Sequence, residues 1–128
     1  MMLTAFAEEH LEGVLGLCIA EGWPSLAANR QRALGALTAP GVICIVALEQ
    51  RQVIGFLQMI TDGAITGYVC QMAVAGAHRR EGVGRSLIEE AFARSGLARA
   101  DLLAGEGAID FYRSLPHQVF AGFRIYAE

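Results

Sequence analysis

The sequence contains no lysine, and all ten of its basic residues are arginine. This absence excludes mechanisms that need a lysine amine, such as a Schiff-base enzyme, a pyridoxal phosphate enzyme or a nucleotide-binding P-loop. Charged residues of both signs are sparse, at 18% of the chain, and the net charge is −3. The arginines are scattered along the chain, so the sequence does not predict binding to nucleic acid.

Long apolar runs are also missing, although 54% of the residues are hydrophobic. Every apolar run is too short, or too often interrupted by charge, to span a bilayer. Residues 1–20 lack the uninterrupted apolar stretch of a signal peptide, because Glu8, Glu9 and Glu12 fall inside it. No polar linker divides the 128 residues. We therefore expect one domain over residues 1–128, located in the cytoplasm and without a membrane partner.

Side chains that bind metals or form disulfides are few and dispersed. The three cysteines each lie in a largely apolar run and cannot all pair with one another, so we expect reduced thiols. The three histidines are too isolated to predict a metal site. The residues concerned are Cys18, Cys44, Cys70, His10, His78 and His117.

Apolar residues at helical spacing predict three longer helices. Residues 11–18 form the first amphipathic pattern, and Gly22 follows as a helix stop. Ser25 is predicted to cap a second helix, which ends before Pro40. A third pattern covers residues 83–95 and is followed by Gly96.

Apolar runs rich in β-branched residues, with turn residues between them, predict a sheet. Asp62 and Gly63 give a two-residue hairpin signal between two of these runs. A helical crossover should then bring residues 101–104 parallel to the strand before it. We predict an α+β fold with a mixed, mostly antiparallel central sheet and helices on both faces. The predicted strands are residues 2–6, 42–48, 53–60, 64–75 and 101–104, with residues 118–126 as one strand or a tight pair after a short helix at residues 106–114.

A turn rich in arginine and glycine joins the strand at residues 64–75 to the helix at residues 83–95. It carries Arg79, Gly82 and Gly84. The first N–H groups of a helix lack internal partners and carry the positive end of the helix dipole, so this turn predicts a diphosphate site. A dinucleotide fingerprint would need a third glycine, and a Walker loop would need a lysine. The alternative is a plain tight turn with solvated arginines.

This turn resembles the central motif of the GCN5-related N-acetyltransferase (GNAT) family, which reads Gln or Arg, two residues, Gly, one residue, then Gly or Ala. The strand before the turn and the helix after it match the family's order. More loosely, the resemblance extends over nearly the whole chain. It implies a GNAT-like acyl-CoA N-acyltransferase fold, with acetyl-CoA as cosubstrate and no metal.

The resemblance also implies where the coenzyme binds. Backbone N–H groups from Arg80 to Gly84 would hold the pyrophosphate, and main-chain groups of Met72 and Val74 would hold the pantetheine arm. Glycine would serve because a Cβ would hold the backbone away from the phosphate oxygens. The implied coenzyme-binding residues are Met72, Ala73, Val74, Arg79, Arg80, Glu81, Gly82, Val83, Gly84, Arg85 and Ser86.

Acetyl transfer from a thioester to an amine requires two proton movements. The amine must lose a proton, because a lysine-like amine is neutral in only about one molecule in a thousand at neutral pH. The leaving thiolate needs a hydrogen-bond donor. The resemblance implies that this donor is Tyr112, whose alternative role is that of a core tyrosine. Asp62 and Glu21 are the candidate bases, beside a base that acts through water and an amine that arrives neutral.

The acceptor side is less well defined by the sequence. By resemblance, Trp23 lies in the loop that shapes the acceptor pocket, with a core anchor as its alternative role, and Tyr68 lies on the strand beside it. Two departures from the family stand out: Gly105 replaces a common Asn, and Pro116 with His117 replace a Gly-Phe pair. The C-terminal hairpin should therefore be truncated or rearranged, with the acceptor side open or completed by another subunit.

Together these features predict an N-acetyltransferase that moves the acetyl group of acetyl-CoA directly to a primary amine on a small molecule or a peptide. The alternative is a non-catalytic domain that binds or senses acyl-CoA. A homodimer is compatible with both.

Overall fold

The computed structural model describes residues 1–127. Four strands and five α-helices follow one another in the order βαααβββαα. The strands are β1 (Met2–Ala5), β2 (Val42–Glu49), β3 (Gln52–Thr61) and β4 (Gly67–Val74). The helices are α1 (Leu11–Glu21), α2 (Pro24–Ala27), α3 (Arg30–Thr38), α4 (Val83–Ser95) and α5 (Ile109–Arg113). Within this part of the chain, none of the helices combines the length and apolarity needed to cross a bilayer.

The four strands form one sheet in the order β1-β2-β3-β4, and every neighbouring pair is antiparallel. The register between β3 and β4 shifts once. Gln58 pairs with Gln71, whereas Met59 pairs with Val69, so Cys70 is an extra residue on β4. An extra residue of this kind is a β-bulge, which bends the strand and redirects its side chains.

Helices cover both faces of the sheet, which confirms the predicted α+β architecture. Alternate residues of β2 such as Cys44 and Val46 pack with helices α1 to α3 in one core cluster. Their neighbours Ile45 and Ala47 belong to a second cluster, which includes Leu87 of α4. Because both faces of the central strands are covered, these strands read as nearly continuous apolar runs.

The prediction of a single second helix capped by Ser25 is wrong. Pro24 occupies the first position of α2, where its missing N–H costs nothing, and α2 ends after one turn. A new helix, α3, then begins behind Asn29, whose side-chain oxygen accepts a hydrogen bond from the Arg32 backbone N–H at 3.0 Å. Asparagine is among the strongest N-caps, and the sequence argument overlooked it. The predicted stop at Gly22 is confirmed by its left-handed backbone, with φ of 76°.

The predicted strand at residues 101–104 is reduced to a single parallel bridge between Asp101 and Tyr68. Two backbone hydrogen bonds of 2.9 Å make it, from Val69 N–H to the Asp101 carbonyl and from Asp101 N–H to the Gly67 carbonyl. The chain then diverges from β4. The parallel part of the predicted mixed sheet is therefore one residue pair, and a wedge opens between β4 and residues 102–105.

The prediction of a strand or hairpin at residues 118–126 is also wrong for the single chain. This segment has no regular secondary structure and is exposed along its length. The predicted two-residue hairpin at Asp62 and Gly63 is instead a five-residue loop over residues 62–66. The short helix at residues 106–114 is present as one turn of 3-10 helix (Glu106–Ala108) followed by α5.

Candidate active site

The N-terminus of α4 presents backbone N–H groups without protein partners. Gly82 is the N-cap residue, in the left-handed conformation with φ of 84°, and no side chain caps the helix. Ser86 is the first residue of α4 whose backbone N–H has a partner in the protein, and it donates to the Gly82 carbonyl at 3.0 Å. Among residues 1–127, none of the N–H groups from Arg80 to Arg85 donates to another residue. Such an N-terminus is suited to bind an anion.

The turn before α4 is shaped by two left-handed residues. Arg80 has φ of 64° and Gly82 has φ of 84°. Left-handed residues in a turn bring successive N–H groups into a concave arrangement that binds anions, and a non-glycine residue in this region is strained. The backbone of the turn is therefore held in a conformation that favours an anionic ligand.

Side chains fix this turn to the rest of the protein. The Arg79 guanidinium forms an ion pair with the Glu21 carboxylate at the end of α1 and donates to the Val74 carbonyl at 3.4 Å. His78 lies 3.0 Å from the Glu81 carboxylate. The Arg79 backbone N–H also donates to the Gly76 carbonyl at 3.4 Å, so Arg79 is engaged through both its side chain and its N–H, whereas the Glu81 N–H has no partner among residues 1–127.

A second anchor connects the first turn of α4 to the segment after α5. The Arg85 guanidinium donates to the Ser114 carbonyl at 3.2 Å. A Cβ added to Gly84 would lie 3.1 Å from the ring of Phe111 on α5, closer than nine in ten real contacts. Phe111 therefore gives a reason for glycine at position 84 besides the expected approach of a phosphate, which stays a prediction. At Gly82 the reason is the positive φ, because a Cβ would meet nothing within 4 Å.

A cavity of about 90 Å³ lies in the wedge between β4 and the diverging segment. Three residues predicted from different parts of the sequence meet in it: Trp23, Met72 and Tyr112. The remaining lining residues are Val69, Cys70, Gln71, Leu102, Leu103, Ala104, Gly105 and Ala108. The structure therefore places a residue predicted to bind the coenzyme (Met72), one predicted to bind the acceptor (Trp23) and the predicted catalytic residue (Tyr112) around the same cavity.

A larger cavity of about 400 Å³ lies elsewhere, between α3 and the start of β2. None of the predicted site residues lines it. Arg94, which does, is near the end of α4, about 16 Å along the helix axis from its start. Although this cavity is the larger of the two, we do not consider it the candidate active site, because it lies far from the α4 N-terminus and from the predicted site residues.

Tyr112 lies on α5 with its side chain partly buried in the wedge. Its ring packs edge-on against that of Phe111, with the centroids 5.0 Å apart. Burial raises the pKa of the Tyr112 phenol above its ordinary value. The phenol is therefore protonated throughout the neutral range and can serve as a hydrogen-bond donor.

The two candidate bases are placed very differently. Glu21 lies two residues before Trp23, which lines the wedge, and its carboxylate is paired with Arg79. Asp62 lies in the loop after β3, where one carboxylate oxygen accepts hydrogen bonds from the N–H groups of residues 64–66 at 2.8–3.0 Å. These bonds lower the Asp62 pKa.

Asp62 is also remote from the turn before α4. The N-terminus of α4 packs over Gly55 of β3, where an added Cβ would lie 3.0 Å from Val83. The loop starts six residues further along the strand, so it lies about 20 Å away. Tyr68, the other predicted acceptor residue, pairs with Ile60 near this same end of the sheet and does not line the cavity.

The cavity wall contains one polar contact that was not predicted. Gln71 accepts a hydrogen bond from the Cys18 thiol, with 3.7 Å between Sγ and Oε1. Burial, and then the nearby Glu21 carboxylate, raise the pKa of Cys18 to about 11, so this thiol is a neutral donor at physiological pH. The signal was a glutamine inside an otherwise apolar strand, which usually means that the side chain has a buried partner.

Known proteins share this fold and the segment that carries the site. The family model described as acetyltransferase (GNAT) domain matches residues 40–115, which is more than half of the chain. The chain belongs to the GNAT acetyltransferase family. No curated protein matches it at a significant level of sequence similarity.

Solved structures extend the likeness over the full chain at the level of the fold. The apo aminoglycoside 6'-N-acetyltransferase AAC(6')-Ig from Acinetobacter haemolyticus superposes with a TM-score of 0.80 at 22% identity, over 100% of this chain and 98% of that one. The aminoglycoside N-acetyltransferase AAC(6')-Iy in complex with CoA gives 0.76 at 15% identity, over 99% and 98%. A GNAT-family acetyltransferase from Streptococcus pneumoniae TIGR4 gives 0.75 at 24%, over 99% and 96%.

The contact between Gly84 and Phe111 leads to a first prediction. Gly84→Ala should lower kcat about tenfold, because the new methyl group pushes Phe111 aside and moves Tyr112 with it. The double variant Gly84→Ala with Phe111→Leu should recover most of this loss, since a leucine leaves room for the methyl group. Steady-state kinetics of both single variants and the double variant form a cycle. Losses that simply add would show that the two residues act independently.

The position of Asp62 leads to a second prediction, which tests whether Asp62 stabilises its loop or acts as the general base. Asp62→Asn keeps an oxygen that can accept the turn N–H groups, and we expect kcat within about twofold of wild type. Asp62→Ala loses those bonds and should lower the melting temperature by a few degrees with kcat unchanged. A tenfold or greater fall of kcat in Asp62→Asn would instead identify Asp62 as the base.

The lowered pKa of Asp62 gives the same experiment a pH signature. Its folded-state pKa is lower than its value in the unfolded chain, so its contribution to stability is present above about pH 4 and is lost as the pH falls through the folded-state pKa. The stability of Asp62→Asn should therefore begin to approach that of wild type as the pH falls below about 4, and the two should coincide only below the lowered folded-state pKa, where the native carboxyl is also protonated.

Proposed function

We propose that this protein transfers the acetyl group of acetyl-CoA directly to a primary amine on a small molecule or a peptide. The proposal depends on one observation, which is that two features of the structure lie side by side. The unpartnered N–H groups at the start of α4 lie next to a wedge that ends at the protonated phenol of Tyr112. A diphosphate, a pantetheine arm and a thioester follow one another in the same order in acetyl-CoA.

The residues present fit the coenzyme. The N–H groups of residues 80–84 would hold the diphosphate, and the edge of β4 at Met72 and Val74 would hold the arm, because β4 beyond Val69 forms no backbone hydrogen bond to the diverging segment within residues 1–127. Acetyl-CoA supplies an acetyl thioester when it is bound. The other proposed coenzyme residues, Ala73 and Arg79 to Ser86, belong to the same strand and turn.

Tyr112 would protonate or hydrogen-bond the leaving sulfur. Its phenol stays protonated at neutral pH because burial raises its pKa. A donor aimed at the developing negative charge typically contributes about 100-fold or more to the rate. Tyr112 is thus the catalytic residue of the proposal, with Phe111 as the residue that positions it.

Removal of the amine proton needs a second group. Glu21 is the candidate that the fold keeps near the wedge, and it would act through water because Arg79 occupies its carboxylate. Gln71 cannot accept a proton at neutral pH. An acceptor amine that arrives neutral would need no base, and Asp62 remains the remote candidate that its asparagine variant tests.

The acceptor would enter beside Trp23. This side chain is half-buried, packs against the core under α1 to α3, and lines the cavity at the same time. We infer a small amine because the cavity is small and because two of the similar folds are aminoglycoside acetyltransferases by name. A peptide amine would fit if only its side chain entered the wedge. Tyr68 would contact the outer part of such an acceptor.

We base the proposed cellular location and the absence of a nucleic-acid partner on the cysteines and on the net charge. The free thiols of Cys18, Cys44 and Cys70 suit a reducing compartment, and we infer the cytoplasm. The net charge of −3 offers no attraction to nucleic acid.

The second candidate function is a non-catalytic acyl-CoA sensor. One observation favours it: no carboxylate or imidazole lines the cavity in the described part of the chain. Calorimetry with acetyl-CoA, followed by turnover measured on a panel of primary amines and a peptide, separates the two. Turnover on any amine supports the enzyme, and binding without turnover on all of them supports the sensor. If acetyl-CoA does not bind, both are wrong.

A further inference from the structure

Gln71 of β4 lines the wedge cavity, and the bulge at Cys70 decides which face of the sheet it occupies. On one side of the bulge, Val69 packs in the cluster that includes α4. On the other side, Ala73 packs in the cluster under α1 to α3. Side chains alternate along a strand, so Gln71 shares the face of Ala73 and is directed toward α1. Trp23, the predicted acceptor residue, packs on this same face.

A contact with α1 occupies one end of the Gln71 amide. Its oxygen accepts a hydrogen bond from the Cys18 thiol, with 3.7 Å between Sγ and Oε1. Cys18 is fully buried, and burial raises its pKa to about 11, so the thiol keeps the proton that it donates. In an amide only the oxygen accepts hydrogen bonds, whereas the nitrogen carries two donors. The Nε2 group is therefore the end of Gln71 that is left for a ligand.

The Nε2 group of Gln71 has no hydrogen-bond partner within residues 1–127. Gln58 lies opposite Gln71 on β3, but its own amide nitrogen donates to the Ala36 carbonyl of α3 at 3.4 Å. Among the described residues, every buried side-chain nitrogen or oxygen has a hydrogen-bond partner. The Nε2 group of Gln71, which has none, is therefore not buried. Two unused N–H donors are accessible in the cavity wall.

Two further side chains around the cavity are donors. The Tyr112 phenol is protonated at neutral pH, and the Trp23 indole carries a donor and no acceptor. Within residues 1–127, the cavity is lined by no carboxylate, which would attract an ammonium ion, and by no arginine, which would attract a carboxylate. Such a wall suits a neutral oxygen atom. The main-chain carbonyls of residues 102–104 accept no backbone hydrogen bond in this part of the chain, so they can accept the N–H groups of a neutral amine.

We propose that Gln71 determines acceptor specificity and that the acceptor is a small amino alcohol, an amine with a hydroxyl group close to its nitrogen. The hydroxyl oxygen would accept a hydrogen bond from Nε2 of Gln71, and the amine would lie between Gln71 and Tyr112. Cys18 is a positioning residue, because its thiol holds the Oε1 end of the amide. The acetyl transfer in this inference rests on the proposed function, whereas the recognition of the hydroxyl group does not.

Acetylation of amines of equal size tests the role of Gln71. Ethanolamine and n-propylamine differ in a hydroxyl against a methyl group, and 3-aminopropanol and n-butylamine repeat the comparison with a longer chain. In at least one pair, Gln71→Met should shift the ratio of kcat/KM by about fivefold or more toward the amine without oxygen. The basicity of each amine is the same for every variant, so it cancels from this comparison.

Gln58→Met is the matched control. It makes the same substitution at the opposite position of β3, outside the cavity, and it should leave both ratios within about twofold of wild type. Ratios that Gln71→Met leaves unchanged in both pairs, or that Gln58→Met changes as much, would overturn the proposal.

Substitution of Cys18 tests its positioning role. Cys18→Ala frees the Gln71 amide to rotate and should shift the ratio in the same direction as Gln71→Met. Cys18→Ser keeps a donor and should restore the ratio to within about twofold of wild type. A purely structural role would lower the melting temperature and leave the ratio unchanged in both variants, and that outcome would overturn the role of Cys18.

Nuclear magnetic resonance of the Gln71 side chain tests recognition without acetyl transfer. Its ¹⁵N-labelled amide signals are assigned by their absence in Gln71→Met. At about pH 9, where part of each amine is neutral, ethanolamine or 3-aminopropanol should shift these signals much more than the matched alkylamine does. Equal shifts, or none, would contradict the proposal. If wild type shows the shifts but acetylates no amine, the proposed function fails and the recognition of the hydroxyl group stands.

Discussion

Gly82→Val will raise the dissociation constant of acetyl-CoA by about 100-fold or more, a loss of about 2.7 kcal/mol. Gly82 is the N-cap of α4 and has φ of 84°, which a β-branched residue adopts only with strain. The chain will relieve that strain by rotating the peptide groups on either side. The N–H groups of Arg80 to Gly84 will then no longer converge on one point, and the diphosphate will lose several hydrogen bonds together. Isothermal calorimetry measures the loss.

Gly96→Val is the matched control for this experiment. Gly96 ends the same helix, has φ of 71°, and has open space around its Cβ position, as Gly82 does. Both variants should lose about 1–2 kcal/mol of unfolding free energy or somewhat more, because a side chain in the left-handed region costs about that much. Only Gly82→Val should lose acetyl-CoA. Equal affinities in the two variants would show that the α4 N-terminus does not bind the coenzyme.

Tyr112→Phe will lower kcat by about 100-fold or more while acetyl-CoA affinity stays within about twofold. The substitution removes one oxygen and leaves the ring packed against Phe111, so the fold and the wedge should be preserved. An acetyl thioester of a more acidic thiol provides the control, because such a leaving group departs without protonation. The rate difference between Tyr112→Phe and wild type should shrink with it. A difference that does not depend on the leaving group would assign Tyr112 a packing role.

The pH dependence of kcat gives an independent test of Tyr112 as the proton donor. The Tyr112 pKa lies above its ordinary value because burial disfavours the phenolate. The donor proton is therefore present at all pH values below that raised pKa and is lost only above about pH 10. Wild-type kcat should fall on that alkaline side, and Tyr112→Phe should lack this decline.

Periodicity and turn chemistry predicted those parts of the fold that depend on local sequence. The helix α4 runs over Val83–Ser95 as predicted, because its apolar stripe, its preceding turn and Gly96 all agree. The strand β2 is found where the β-branched run begins and ends within one residue of its predicted limit. The turn before α4 was also visible in the sequence, and the structure places Gly82 as the N-cap of this helix with a positive φ.

What the sequence could not predict depends on contacts between distant residues. Trp23 and Tyr112 meet in the wedge because residues 102–105 leave the sheet after one bridge, and no local pattern encodes that divergence. The contact between Gly84 and Phe111 could not be predicted for the same reason, since Phe111 approaches from another part of the chain. Residues 118–126 were predicted as a strand from their own composition, but a strand also needs backbone hydrogen bonds to a neighbouring strand, and these residues form none within residues 1–127.

The packing of Phe111 on Gly84 joins the first turn of α4 to the short helix α5 and so fixes the distance from the α4 N-terminus to the Tyr112 phenol. Under the proposed function, this distance has to match the length of the pantetheine arm. Donors whose thioester is carried on a shorter or longer arm would then present their sulfur out of reach of Tyr112, even if their diphosphate bound.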